Sequence, residues 1–185
     1  MRKPRQLLPG ARYHVIARIN RGEFLFRNVK FKELFLAILR RAKRRYRFAI
    51  ETFCVMDNHV HMIIRPAAGE SLSRIMQWIL AVFAQHYNRI HNLFGHVWCG
   101  RFKSFILRTD QQRLKAHAYI ARNPVAANMV PLARCYQYSA VSLILAGDFN
   151  LVEQPPTEIL LMYKNIDSDR SLIAMAAVWP ESIEK

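Results

Sequence analysis

Residues 56–66 read MDNHVHMIIRP, and side chains of one kind recur at every second position. Alternate residues of a strand share a face, so Val60, Met62 and Ile64 make an apolar row while His59 and His61 aim both imidazoles at one point on the other side. Asp57 and Asn58 supply turn chemistry, and Pro66 stops the run. Residues 49–56 (AIETFCVM) are a second apolar strand, so the two strands and their tight connection predict an antiparallel hairpin.

On the N-terminal side, 31–48 places Phe31, Leu34, Phe35, Ile38, Leu39, Ala42 and Tyr46 at helical spacing beneath a basic surface. Ahead of that helix, ARYHVIARIN (11–20) alternates as a strand that Gly22 closes. His14 on this strand is read as structural. On the C-terminal side Ser71 caps a helix to about Asn92, and VWCGRFKSFIL (97–107) reads as a fourth strand. Arg101 and Lys103 share a face of it, with Phe102 between. Asp110 caps a helix over 111–122 that the Asn123-Pro124 pair ends.

The order strand, helix, strand, strand, helix, strand predicts an α+β domain, one antiparallel sheet backed by helices, over 1–147. Short helices follow at 136–147, 157–164 and 169–178. Pro155-Pro156 and a reversal of charge mark 148–185 as a helical C-terminal appendage.

The chain has 185 residues, of which 52% are apolar and 22% charged, which suits one folded domain with a substantial core. No apolar run approaches the roughly 20 residues that span a bilayer, so no membrane association is expected. The basic start lacks an apolar signal core, and a cytoplasmic location is expected. Cys54, Cys99 and Cys135 have no paired spacing, which argues against a disulfide framework and a thiolate zinc site. Residues 1–140 carry 25 Lys and Arg against 6 Asp and Glu, a net +19, whereas 141–185 carry 3 against 7, a net −4. Such an excess on one folded unit points to a polyanionic partner, with nucleic acid first.

Two chemistries are legible in the residues alone. A His-x-His pair on one strand is the geometry of a two-ligand metal clamp, although strand histidines also serve as ordinary hydrogen-bonding groups. Lys115, Tyr119 and Asn123 are spaced four apart and share one helix face, where Tyr119 is the group that invites chemistry.

Taken together, YHVIARINRG (13–22), MDNHVHMIIRP (56–66), GHVWCGRFKSFIL (95–107) and AYIARNPVAANMV (118–130) resemble the HUH single-strand transposases, IS200-like, and most closely their REP-associated tyrosine transposases. The resemblance runs from residue 11 to about 146. It implies a ferredoxin-like HUH domain in which His59 and His61 bind a divalent cation, Mg²⁺ or Mn²⁺, Tyr119 is the nucleophile and Asn123 a further polar metal ligand. The implied reaction is cleavage and strand transfer of single-stranded DNA through a covalent 5′-phosphotyrosine, on a hairpin of a repetitive extragenic palindrome. Candidates for gripping that DNA are Arg2, Lys3, Arg5, Arg40, Arg41, Lys43, Arg44, Arg101, Lys103 and Lys115. Lys115 would also favour deprotonation of Tyr119. The closer relatives and the acidic tail point to a monomer rather than a homodimer. Asp57, Cys99 and Ala126 depart from the family pattern, and Asp57 would add an acidic group near the metal. Two other function classes compete: a nucleic-acid binding module without chemistry, and a metal-dependent nuclease that uses water.

Overall fold

The computed structural model describes residue 8 and residues 10–179. Four strands, β1 (Arg12–Arg18), β2 (Phe48–Val55), β3 (His59–Pro66) and β4 (Lys103–Leu107), form one antiparallel sheet in the order β2-β3-β1-β4. With α1 (Val29–Arg45) between β1 and β2 and α2 (Leu72–His91) between β3 and β4, this is the antiparallel sheet backed by helices that the sequence order predicts, in the ferredoxin-like arrangement that the resemblance implies. The hairpin across Asp57-Asn58 is β2 and β3, as expected.

The alternation of β3 sorts the two faces. Val15, Ala17, Val60, Met62 and Ile64 are buried on the side covered by α1 and α2. There Phe26, Phe35, Phe83 and Trp98 stack with ring centroids 5.1–6.2 Å apart. The other face carries the histidines and lies under α3 (Asp110–Ala126), on which α5 (Thr157–Asn165) and α6 (Arg170–Ala177) pack.

Several boundaries differ from the sequence-based expectation. Residues 97–102 are a loop rather than strand, because Gly100 takes a left-handed φ of 72° and the Trp98 ring turns into the aromatic core, donating to Leu80 O at 2.9 Å. Arg101 therefore sits in a loop and does not share a strand face with Lys103. Residues 136–139 are a turn between extended Tyr136 and Ser139, not helix: they cover the outer edge of β2 through Val55 N to Tyr138 O (3.0 Å) and Tyr136 OH to Val55 O (2.6 Å). The helix α4 (Ala140–Leu145) begins only after that edge is paired.

The helix α3 runs through Pro124 to Ala126 instead of ending before it. Proline removes one N–H from the ladder, and the chain closes a turn later with Asn128 at φ 54° and Met129 N bonded to Pro124 O. At its start the cap is Thr109, not Asp110. Thr109 is extended and its hydroxyl accepts from Gln112 N at 3.1 Å, while Gln112 Oε1 accepts from Arg108 N at 2.8 Å. Asp110 is the first helical residue, where its charge meets the positive helix end. Replacing Thr109 by Ala is expected to lower unfolding stability by about 1 kcal/mol in a urea titration.

Residues 148–179 join the same core. Leu151, Val152, Ile159, Met162, Tyr163 and Ile166 are buried within it, Glu153 N bonds to Ile50 O at 2.9 Å, and Arg122 donates to Ile166 O at 3.0 Å.

Candidate active site

Pairing places the histidines at one end of the sheet. His59 lies opposite Arg18 and His61 opposite Ile16 on β1, so both imidazoles leave the sheet on the α3 side. Their ring centroids are 4.7 Å apart at 85°. The Tyr119 ring stands edge-on to His61 at 5.5 Å and 90°. Two strand residues and one helix residue some sixty positions later thus form one cluster of touching rings.

The Nδ1 atoms of the pair are engaged by neighbours. His59 Nδ1 lies 2.6 Å from Asn58 Oδ1, while Asn58 Nδ2 donates to Gly22 O at 3.3 Å, which fixes the amide orientation. His61 Nδ1 lies 3.0 Å from His14 Nε2. Burial, reinforced by the charge of His117, holds His14 down at about 3. Burial, with His59 and His14 adding to it, pushes His61 well below its ordinary value, so both rings are neutral near pH 7. A neutral imidazole that carries its proton on Nδ1 presents Nε2 as the lone-pair nitrogen that ligation requires.

Asn123 sits one turn beyond Tyr119, and its Nδ2 donates to Tyr119 O at 2.9 Å, leaving the amide oxygen as its acceptor. With Tyr119 it lines a cleft of about 360 Å³ closed on the far side by Ile173, Ala176 and Ala177 of α6. Among the described residues no group of three or more His, Cys, Asp and Glu is arranged to hold a metal ion. His59 and His61 do not line that cleft; an ion on the two imidazoles would have its other positions open to further oxygen donors such as phosphate or water.

Asp57 is not the acidic neighbour expected of it. Lys32 Nζ at 3.0 Å and Arg27 Nε at 3.4 Å hold its carboxylate toward α1. The acidic group on the histidine face is Glu51. A bulge in β2 between Ile50 and Thr52 aims it under α3, where it meets Arg12 at 2.7 Å, Arg113 at 2.8 Å and Arg65 at 3.6 Å. Burial works against its charge, but His117, Arg113 and Arg12 outweigh it and hold the carboxyl down at about 2. His117 Nδ1 is 2.7 Å from Tyr163 OH, which donates to Thr52 Oγ1 at 2.8 Å. This buried network ties the helix bearing Tyr119 to β2 and α5.

The basic residues divide by face. Lys103 on β4 pairs with Ile16, which pairs with His61, so Lys103 lies in the histidines' row and on their face. Lys115 is partly buried one turn before Tyr119. Arg40, Arg41 and Arg44 are exposed on α1, and α1 covers the opposite face of the sheet, so that run is not brought to the histidine cluster. Lys43 is committed to Leu151 O at 3.1 Å. Arg101 borders a cleft of about 620 Å³ beside α2, with Gln77, Leu80, Trp98 and Phe102. Arg2, Lys3 and Arg5 lie outside the described residues. His14, read from the sequence as structural, joins this face, as does Arg18, which the sequence did not single out; Arg18 is exposed opposite His59 and its charge acts on His61. Both share the face of the pair through the β1–β3 register, which a single strand does not disclose.

A family model described as an IS200-like transposase matches residues 8–123. No curated protein matches the chain. Among solved structures the chain is similar to a REP-associated tyrosine transposase bound to a REP hairpin, at a TM-score of 0.68 and 19% identity, over 84% of this chain and 93% of that one. It is also similar to a putative transposase from Deinococcus radiodurans R1, at a TM-score of 0.45 and 18% identity, over 65% of this chain and 95% of that one.

Proposed function

The chain belongs to the IS200-like transposases, and on that premise we propose that it cleaves and rejoins single-stranded DNA by covalent catalysis through Tyr119. The observation that carries the reading is the contact of the Tyr119 ring with His61 at 5.5 Å, which puts a phenol beside a paired-imidazole site on a basic protein.

His59, His61 and Asn123 would hold a divalent ion, Mg²⁺ or Mn²⁺, since neutral nitrogen and amide donors leave the ion's charge undiminished. Bound there, it would neutralise charge on a phosphodiester and favour ionisation of a nearby phenol. Tyr119 supplies the nucleophile: its Oη bonds to phosphorus as the bond from phosphorus to the 3′ oxygen breaks. The phenol gives up a proton and the departing 3′ oxygen takes one, leaving a 5′-phosphotyrosine and a free 3′-hydroxyl. Attack by a 3′-hydroxyl on that ester restores the phosphodiester, so no nucleotide cofactor is consumed. Lys115, one turn before Tyr119, would favour the phenolate electrostatically, and Arg18 and Lys103 would hold the strand by its phosphates. The substrate we infer is a single strand with a hairpin, of the kind bound by the REP-associated transposase of similar fold, taken by a monomer without a membrane.

Incubation with single-stranded hairpin DNA and Mn²⁺ should yield a protein–DNA adduct that survives denaturation, and excess EDTA should abolish it. Wild-type protein that forms no adduct with such DNA refutes the reading. Cleavage without an adduct identifies water as the nucleophile.

A further inference from the structure

We propose that His14 is a positioning residue for His61: it accepts a hydrogen bond from His61 Nδ1–H and so fixes the tautomer that turns His61 Nε2 outward as a ligand. The proposal rests on the reading of His61 as a metal ligand and names what holds that ring ready.

Contact between the two rings leaves two ways to place one proton. His14 Nε2 and His61 Nδ1 are 3.0 Å apart and both rings are fully buried, so one nitrogen donates and the other accepts. With His14 as donor, the proton of His61 sits on Nε2 and closes that nitrogen to a metal. With His61 as donor, Nε2 carries the lone pair. Free neutral imidazole favours the first form, so a ligand held in the second needs an acceptor at Nδ1. His14 is that acceptor.

The partner histidine shows the same device in a form with only one solution. The oxygen of Asn58, its amide oriented by Gly22 O, can only accept, so His59 donates from Nδ1 and offers Nε2. Each histidine of the pair thus meets an outer residue at Nδ1. His14 is held against rotation by Phe105, Tyr119 and Trp179, whose ring centroids lie 6.4, 6.1 and 5.9 Å from its own. Accepting at Nε2 leaves its own proton on Nδ1, which is buried and has no hydrogen-bond partner among the described residues. That cost is the mark of a ring kept for what its other nitrogen does, because an apolar side chain would fill the place without it.

Long-range proton–nitrogen correlation spectra of the histidine rings test the proposal directly in the metal-free protein. His61 is expected protonated at Nδ1. In His14→Leu the form protonated at Nε2 should appear, and Mn²⁺ affinity, read by electron paramagnetic resonance titration, should fall roughly 10- to 100-fold. His14→Gln, which keeps an acceptor, should retain most of the affinity. A wild-type spectrum with His61 protonated at Nε2 overturns the proposal whether or not the variants fold, as does a folded His14→Leu that binds Mn²⁺ like the wild type. If the wild type forms the DNA adduct while either of those results holds, only the role of His14 is lost. Wild-type protein that neither binds Mn²⁺ nor forms the adduct removes the metal reading and this proposal together.

Discussion

Tyr119→Phe is expected to reduce adduct formation to background, a loss of about 10³-fold or more, while leaving the fold and the metal affinity intact. The substitution removes one hydroxyl and keeps the ring that stands edge-on to His61 and 6.1 Å from His14. Packing should therefore survive, with stability changed by no more than about 0.5 kcal/mol. Two buried phenols near the sheet are poorly placed to substitute. Tyr163 is tied to His117 and Thr52, Tyr136 donates to Val55 O, and burial pushes both phenols up, away from ionisation. Quantifying the adduct on denaturing gels and unfolding the same samples in urea separates chemistry from folding. An undiminished adduct in the Phe variant would mean that another side chain attacks.

The pieces of this site were unequally legible. His59 and His61 could be read because a period of two puts them on one face, and Tyr119 with Asn123 because a spacing of four does so on a helix. That the two faces meet follows from the sheet order and from α3 lying over it, which the ordered motifs of the resemblance implied and no local pattern contains. His14 was read as structural, with no place in the site, for a physical reason: its partner is 47 residues away, and only the β1–β3 pairing brings the two rings together. Arg18 was hidden in the same way. Glu51 was not singled out within the strand read over 49–56, because a bulge adds a residue without changing composition. The extent of α3 was misread because Asn123-Pro124 is a strong stop signal locally, whereas here the helix loses one bond and runs on to Ala126, before the left-handed Asn128. The basic run of α1 announced nucleic acid by composition alone, yet its helix covers the face away from the histidines. Lys103 and Arg18 reach the site because strands, not charge runs, decide which face a cation occupies.

Glu51 should be as important to stability as Tyr119 is to chemistry. Its carboxylate is 3% exposed and compensates Arg113, Arg12 and the His117 ring beneath α3. Glu51→Gln keeps the shape and removes the charge, leaving the partly exposed Arg113 and Arg12 without their buried counterion, and is expected to cost about 3 kcal/mol at pH 7. The pH dependence gives the effect a signature. The folded carboxyl titrates at about 2, below the ordinary 4.5, so its contribution is complete above the ordinary value and lost as pH falls toward 2. Wild type and Glu51→Gln should differ most at pH 7, by less than half as much at pH 3, and converge only as pH falls to about 2 in urea unfolding. A gap that stays constant from pH 7 to pH 3 would show that shape rather than charge holds this site. Because Arg113 and His117 belong to the helix that presents Tyr119, the variant should also form less adduct while its Mn²⁺ affinity, set by β3 and its neighbours, stays near that of the wild type. Loss of adduct with metal binding retained would locate the function of this buried charge in the alignment of α3 over the sheet.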